Sequence, residues 1–320
     1  MSSDLRPIHA LDIHAPDDVR PAAALTATPP DEAAYRWLHF DLADPALEEW
    51  CLAHLPRFAA RTLLAARTRP RVDEAEDGLV LTLRGINLNQ GEEMADMVSL
   101  RLWVTPRLVV TVRRARVFAM EDLAADMRSG NAPATTCRLI TRVAENLVDR
   151  IERLSVDLED RADDFEDAVY EEGAHALPGL APLHRSVIKL RRHIGPVADA
   201  IRDLARIESD VVSRDLRNRL RDTANRAQRS VEEVAEVRDR LQTLTRHLDM
   251  ANDARLGRHG FLLTALATIF VPLSFVTGLF GVNLAGIPGA AHPHAFPILT
   301  LSMIVFAALA LLFFRWRKWL

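Results

Sequence analysis

The sequence predicts an α+β domain followed by a long stalk helix and a C-terminal hairpin of two transmembrane helices. Three observations predict it. Residues 259–314 are 56 consecutive positions without Asp, Glu, Lys or Arg, in a chain of 320 that is otherwise densely charged. Apolar or small residues recur at a mean spacing of 3.5 from Leu216 to Ala251, the period of a coiled-coil seam. Strand-type runs separated by turn-like segments fall between residues 35 and 113 and vanish after Thr135.

Residues 1–34, rich in Ala, Pro and Asp without periodicity, read as a loose lead-in, and they lack the apolar core of a secretion signal. Structure is predicted to begin at Tyr35 with a strand over 35–42, then two short helices over 45–54 and 56–67, broken by Pro56. Strands are expected over 79–88, 97–104 and 108–113. The segments 89–93 and 105–107 between them are turn-like, which suggests hairpins in a largely antiparallel sheet. With helices before and after, 35–135 forms one α+β domain.

The region 136–208 is helical: a helix over 136–172, a break at 173–182, and a helix over 183–207 interrupted at Gly195-Pro196. The stalk, 209–260, carries the seam Leu216, Leu220, Ala224, Ala227, Val231, Val234, Val237, Leu241, Leu244, Leu248 and Ala251, with no Pro or Gly before Gly257. If unbroken from Ser209 to Phe280, this helix would measure roughly 105 Å. Such a helix can carry a conformational signal or simply anchor the domain.

At a rise of about 1.5 Å per residue, some 20 apolar residues cross a bilayer, so the uncharged stretch holds spans at 261–280 and 296–314, an outer turn at 281–295 and a basic tail at 315–320. Arg255 and Arg258 precede the first span, and Arg315, Arg317 and Lys318 follow the second as a basic ring; the turn has no Lys or Arg. The positive-inside bias then puts both termini and the soluble body in the cytoplasm, with the chain multi-pass in a bacterial-type inner membrane.

Composition narrows the chemistry. Forty basic against 44 acidic residues give a net charge of −4, so no nucleic-acid partner is expected. Cys51 and Cys137 have no C-x-x-C spacing and read as buried thiols. There is no H-E-x-x-H spacing and no Gly-rich phosphate loop, which argues against an enzyme or a resident cofactor.

Residues 157–172 hold nine acids and one Arg. Their helical spacing stacks carboxylates that repel, so Asp163, Asp164, Glu166 and Asp167 either form a solvated face, gather divalent cations or dock on the basic ring. On the first span Gly260, Thr264, Ala267, Val271, Ser274 and Gly278 make a small, weakly polar stripe, suited to lining a narrow path or to helix packing. Two spans cannot enclose such a path, so several copies are needed. Neither span contains an ionisable residue, which argues against a tetrahedral zinc site in the bilayer and for a cation that keeps much of its water. The turn Gly281-Val282-Asn283-Leu284-Ala285-Gly286-Ile287-Pro288-Gly289 offers one amide per copy for a ring at a pore mouth, and His292 and His294 are candidate ligands.

The run Phe270-Val271-Pro272-Leu273-Ser274-Phe275-Val276-Thr277-Gly278-Leu279-Phe280-Gly281-Val282-Asn283 resembles the end of the first transmembrane helix and signature loop of the CorA-type divalent-metal transporters. Val282, where that family usually has Met, and the following Asn-Leu-x-Gly-Ile-Pro-Gly are similar to its ZntB zinc-transporter branch. The resemblance covers residues 35–320. It implies a homopentamer with an α/β/α cytoplasmic funnel, a pore-lining stalk helix, an outer selectivity loop at Gly281, Val282 and Asn283, and Gly278, Ser274 and Val271 facing the pore below. Magnesium-type members commonly carry acids after the signature, whereas 286–295 has none, which favours Zn²⁺ as cargo. A magnesium or broad divalent channel, and a membrane-anchored coiled-coil scaffold, are the alternatives.

Overall fold

The computed structural model describes residues 5–75, 77–93, 95–170, 177–208, 211–282, 289 and 292–317. The chain divides into two compact units, Met1–Thr245 and Arg246–Leu320. The first contains strands β1 (His9–Ala15), β2 (Asp18–Pro21), β3 (Tyr35–Asp41), β4 (Arg71–Ala75), β5 (Gly78–Gly85), β6 (Val98–Val104) and β7 (Leu108–Arg113). Its helices are α1 (Leu47–His54), α2 (Arg57–Leu64), α3 (Phe118–Arg128), α4 (Thr136–Tyr170), α5 (Leu180–Leu204) and the first part of α6 (Arg214–Phe280). The rest of α6 and α7 (Ala295–Trp316) make the second unit.

The strands form one mixed sheet in the order β2-β1-β3-β7-β6-β5-β4, antiparallel at every pairing except β3 with β7. Strand β3 is buried from Tyr35 to Phe40, so side chains of both parities are covered, as a central strand between two helical layers requires. On one face Leu38, Phe40, Val80, Trp103 and Val110 pack against Trp50, Cys51, Ala59 and Leu63 of α1 and α2. Helices α4 and α5 also pack on β5. A Cβ at Gly85 would lie 2.7 Å from Leu147 Cδ2, so this glycine sets how closely α4 approaches the sheet.

Residues 9–21 correct the expected loose lead-in, because they form β1 and β2 and extend the sheet beyond β3. What ties them down is a buried ion pair. Arg36 donates from Nε to Asp12 Oδ1 at 2.6 Å and from Nη2 to Asp12 Oδ2 at 2.8 Å, and its Nη1 reaches Thr26 Oγ1 at 2.7 Å and the Thr26 and Thr28 carbonyls. Every donor group of the guanidinium is satisfied, which offsets the cost of burying two charges.

Strand β4 lies between the expected helix and strand, where alternating charged residues hid an edge strand. The expected break at Gly195-Pro196 is absent. Helix α5 runs through Pro196, burying Val187, Leu190, Ile194, Val197, Ile201 and Leu204, and that packing outweighs the roughly 3 kcal/mol a mid-helix proline costs. Helix α6 begins at Arg214, past the anticipated 209. Its seam is buried at Leu216, Leu220, Ala224, Ala227, Val234, Val237, Leu241 and Leu244, whereas Val231 and Leu248 are half-buried and Ala251 is exposed.

In the second unit α6 and α7 pack through Phe261, Ala265, Ile269 and Leu273 against Ala307, Ala310 and Phe314. Phe261 meets Phe314 edge-on at 6.2 Å between ring centroids. Both helices are long and apolar enough to cross a membrane.

Candidate functional site

The face of α6 that α7 covers is centred on Ala265 and Ile269. At about 100° per residue, the stripe Gly260, Thr264, Ala267, Val271, Ser274 and Gly278 falls on the opposite side, its centre roughly 160° away. All six residues are exposed. The hairpin therefore packs with its larger apolar residues and leaves the small-residue stripe uncovered within the chain.

The stripe has a defined polarity. Thr264 Oγ1 donates to the Gly260 carbonyl at 3.0 Å, and on a flank of the stripe Thr277 Oγ1 donates to the Ser274 carbonyl at 3.0 Å. A hydroxyl whose proton is turned into its own helix presents only acceptor lone pairs outward. Waters around a cation point their hydrogens outward, so acceptors of this kind can take hydrogen bonds from a hydration shell.

At the end of α6 the Gly281 N–H donates to the Thr277 carbonyl at 2.9 Å and the Gly278 carbonyl at 3.2 Å. A Cβ on Gly281 would stand 2.8 Å from the Thr277 oxygen. Only glycine closes the helix there without a shift, so the chain can turn into the loop at that residue. Val282 is exposed. Asn283 lies outside the described residues, as does Lys318. The rings of His292 and His294 sit 5.9 Å apart, and His292 Nδ1 accepts the His294 N–H at 3.2 Å, so in the neutral ring Nε2 carries the proton and must release it before it can bind a metal. Arg315 and Arg317 are exposed at the end of α7.

The acidic stretch proves to be partly engaged within the chain. Arg240 pairs with Glu166, through two hydrogen bonds of 2.9 Å, and with Asp163. Asp164 and Asp167 are exposed. Among the described residues no group of three or more His, Cys, Asp or Glu side chains is placed to hold a metal ion.

Arg240 belongs to a ladder. Arg219 binds Glu145, Arg226 binds Glu152 and Asp149, and Arg240 binds Glu166 and Asp163, with each Arg 74 residues after its principal Glu. The partners therefore advance together, and α4 and α6 run parallel and in register. This framework went unrecognised in the sequence, although it was signalled by Arg219, Arg226 and Arg240 at multiples of seven along α6 and by Glu145, Glu152 and Glu166 at the same intervals along α4. The same offset puts Glu233 opposite Glu159, where two acids meet. Burial, and then Glu159 and Glu152, push the Glu233 carboxyl above its ordinary value.

Comparison with known proteins decides the family. Residues 32–317 match the family described as CorA-like Mg²⁺ transporter protein. The chain belongs to that family. CorA-family proteins are transporters of divalent cations and not enzymes, and this one is a membrane protein with two apolar C-terminal helices.

Among relatives of this CorA-like chain, the divalent cation transporter CmaX of Pseudomonas aeruginosa is 35% identical over 290 residues, covering 89% of this chain and 87% of its own. The zinc transport protein ZntB of Pectobacterium carotovorum is 30% identical over 286 residues, covering 89% and 88%. The structure of full-length CmaX superposes with a TM-score of 0.84 at 32% identity over 100% of both chains. That of the CorA magnesium transporter from Methanocaldococcus jannaschii gives 0.78 at 15% identity over 96% of this chain and 98% of its own, which is a likeness of fold.

Proposed function

We propose that this CorA-family protein conducts Zn²⁺ in hydrated or partly hydrated form through a homopentameric pore. The observation that carries the reading is the placement of Gly260, Thr264, Ala267, Val271, Ser274 and Gly278 opposite the α7-covered face of α6, where further copies can cover them. Small residues allow close approach of helices, and the acceptor oxygens along and beside the stripe suit a hydration shell. Gly281, Val282 and Asn283 form the outer selectivity loop, with the Asn283 amides as a ring of oxygens. His292 and His294, bearing borderline-soft nitrogens and lying in a turn free of acids, favour Zn²⁺ over the more strongly hydrated Mg²⁺. The basic residues Arg315, Arg317 and Lys318 keep both termini in the cytoplasm.

The ZntB relatives, at about 30% identity, support zinc as cargo, and the CmaX relative, named for divalent cations without a metal, supports the broad-specificity alternative. Flux of Zn²⁺ and Mg²⁺ into liposomes carrying the full chain separates them. Zinc entry above magnesium entry, abolished by Asn283→Ala, is the expected result. Equal or greater magnesium entry favours the broad channel, and zinc entry that persists in Asn283→Ala removes the loop from the reading.

A further inference from the structure

Arg101 stands at the middle of β6 with 1% of its surface exposed. Among the described residues its guanidinium has one acceptor, the Ala65 carbonyl, reached from Nη2 at 2.8 Å. Nε and Nη1 have no hydrogen-bond partner among the described residues. Arg36, buried to a similar degree in the same sheet, shows what a satisfied guanidinium looks like here, with a bidentate carboxylate and three further contacts. Arg101 pairs with no carboxylate among the described residues.

The surroundings add further donors, and the carboxylate that β4 brings to this face, Asp73, lies 2.7 Å from Arg71 Nε rather than with Arg101. Strand register sets Thr82 directly across from Arg101, and Arg84 lies two residues along β5 on the same face. Three arginines reach the connector between α2 and β4: Arg101 to the Ala65 carbonyl, Arg114 Nη1 to that of Ala66 at 3.5 Å, and Arg84 Nη2 to that of Thr68 at 3.0 Å. This convergence gathers further buried polar atoms without a partner, namely Thr82 Oγ1, Thr68 Oγ1 and Arg84 Nε.

Burial, Arg114 and Arg84 all pull the Arg101 pKa down, and burial and Arg192 do the same to Arg84; no carboxylate offsets either. His193 accepts from Arg84 Nη1 at 2.9 Å through Nδ1, and burial with Arg84 and Arg192 favours its neutral form. Isolated buried charge is costly unless paired.

We propose that Arg101, Arg84, Thr82 and Thr68 form a binding site for a small inorganic anion of the halide class, which supplies the missing counter-charge and locks the α2–β4 connector to the sheet. The enclosure of Arg101 leaves no open mouth for a phosphorylated metabolite. A monatomic anion accepts from guanidinium and hydroxyl donors without needing its lone pairs oriented. Binding to the folded state alone makes stability depend on the anion concentration.

The test is thermal unfolding of the full chain in detergent, with sodium chloride or bromide titrated against sodium gluconate at constant ionic strength. A saturable rise of the midpoint by several degrees in halide is expected, with the half-saturating concentration several-fold higher in Thr82→Val, which removes one hydroxyl at constant shape, and the rise lost in Arg101→Met. Identical midpoints in halide and gluconate overturn the proposal, as does an undiminished halide response in both variants. Should Arg101→Met fail to fold, crystals of the unaltered protein grown in bromide decide. An anomalous peak within hydrogen-bonding reach of Arg101 Nε is the expected result. An ordered water alone in contact with those donors overturns the site.

Discussion

Glu166 on α4 accepts two hydrogen bonds of 2.9 Å from Arg240 on α6, the last rung of the ladder that begins at Glu145 and Arg219. The rung between Arg226 and Arg240 is reversed in sign, because Glu233 faces Glu159 there. Glu233→Arg completes the ladder, and a gain of ~0.5 kcal/mol in unfolding free energy at neutral pH is expected, the scale of an exposed pair. A carboxyl raised in the folded state favours folding at acid pH and loses that advantage as pH rises through its folded value. The benefit of Glu233→Gln therefore grows from acid to neutral pH. Denaturant titrations at both pH values check this, and a stabilisation independent of pH contradicts it.

Asp12 and Arg36 make a different kind of pair, 4% and 3% exposed respectively. Asp12→Ala leaves a buried guanidinium without its carboxylate, with an expected cost of about 3–5 kcal/mol. The double change Asp12→Leu with Arg36→Met restores most of that loss. Equal stability of Asp12→Ala and the unaltered protein would mean that β1 is not held by this pair.

His39 is buried, its Nδ1 is 2.8 Å from Thr111 Oγ1, and burial, helped by Arg113 and His9, pushes its pKa down to about 3. Between pH 6.5 and about 3 the unfolded chain binds a proton that the folded chain refuses, so stability falls as pH drops through that window. His39→Asn flattens this acid limb. A limb unchanged in the variant assigns it to other groups.

In the membrane hairpin, Ile269 and Ser274 lie on opposite faces of α6. Ile269→Ala, which opens the contact with α7, is expected to cost about 2–5 kcal/mol of hairpin stability, judged from core truncations in general. Ser274→Leu leaves that packing intact and is expected to cut divalent flux at least tenfold. Thermal unfolding paired with liposome flux separates the two effects, and a Ser274→Leu protein of full flux contradicts the stripe's role.

The sheet, the long helix and the spans were legible because each repeats a local pattern: the apolar runs of β5, β6 and β7, the seam from Leu216 to Leu244, and the uncharged stretch that contains Ala265 and Ile269. Strand β1 was not, since Asp12 and His14 read as lead-in until Arg36, 24 positions away from Asp12, supplies the partner. Pro196 misled for the opposite reason, because a local helix-breaking preference yielded to packing along α5. The uncovered stripe was readable from helical periodicity, but its position relative to α7 required knowing that Ala265 and Ile269 face Phe314. The ladder was present as seven-residue spacings in two separate helices, and nothing local joined them.

If the stripe on α6 lines the ion path, its residues are within reach of a reagent in the pore. The deciding measurement is divalent flux in liposomes after thiol modification of single cysteines at 271, 274 and 278, compared with 262 and 266 off the stripe, with Cys51 and Cys137 replaced. A charged thiol reagent is expected to block flux only at the three stripe positions. Equal block at all five, or none at the stripe, would contradict it.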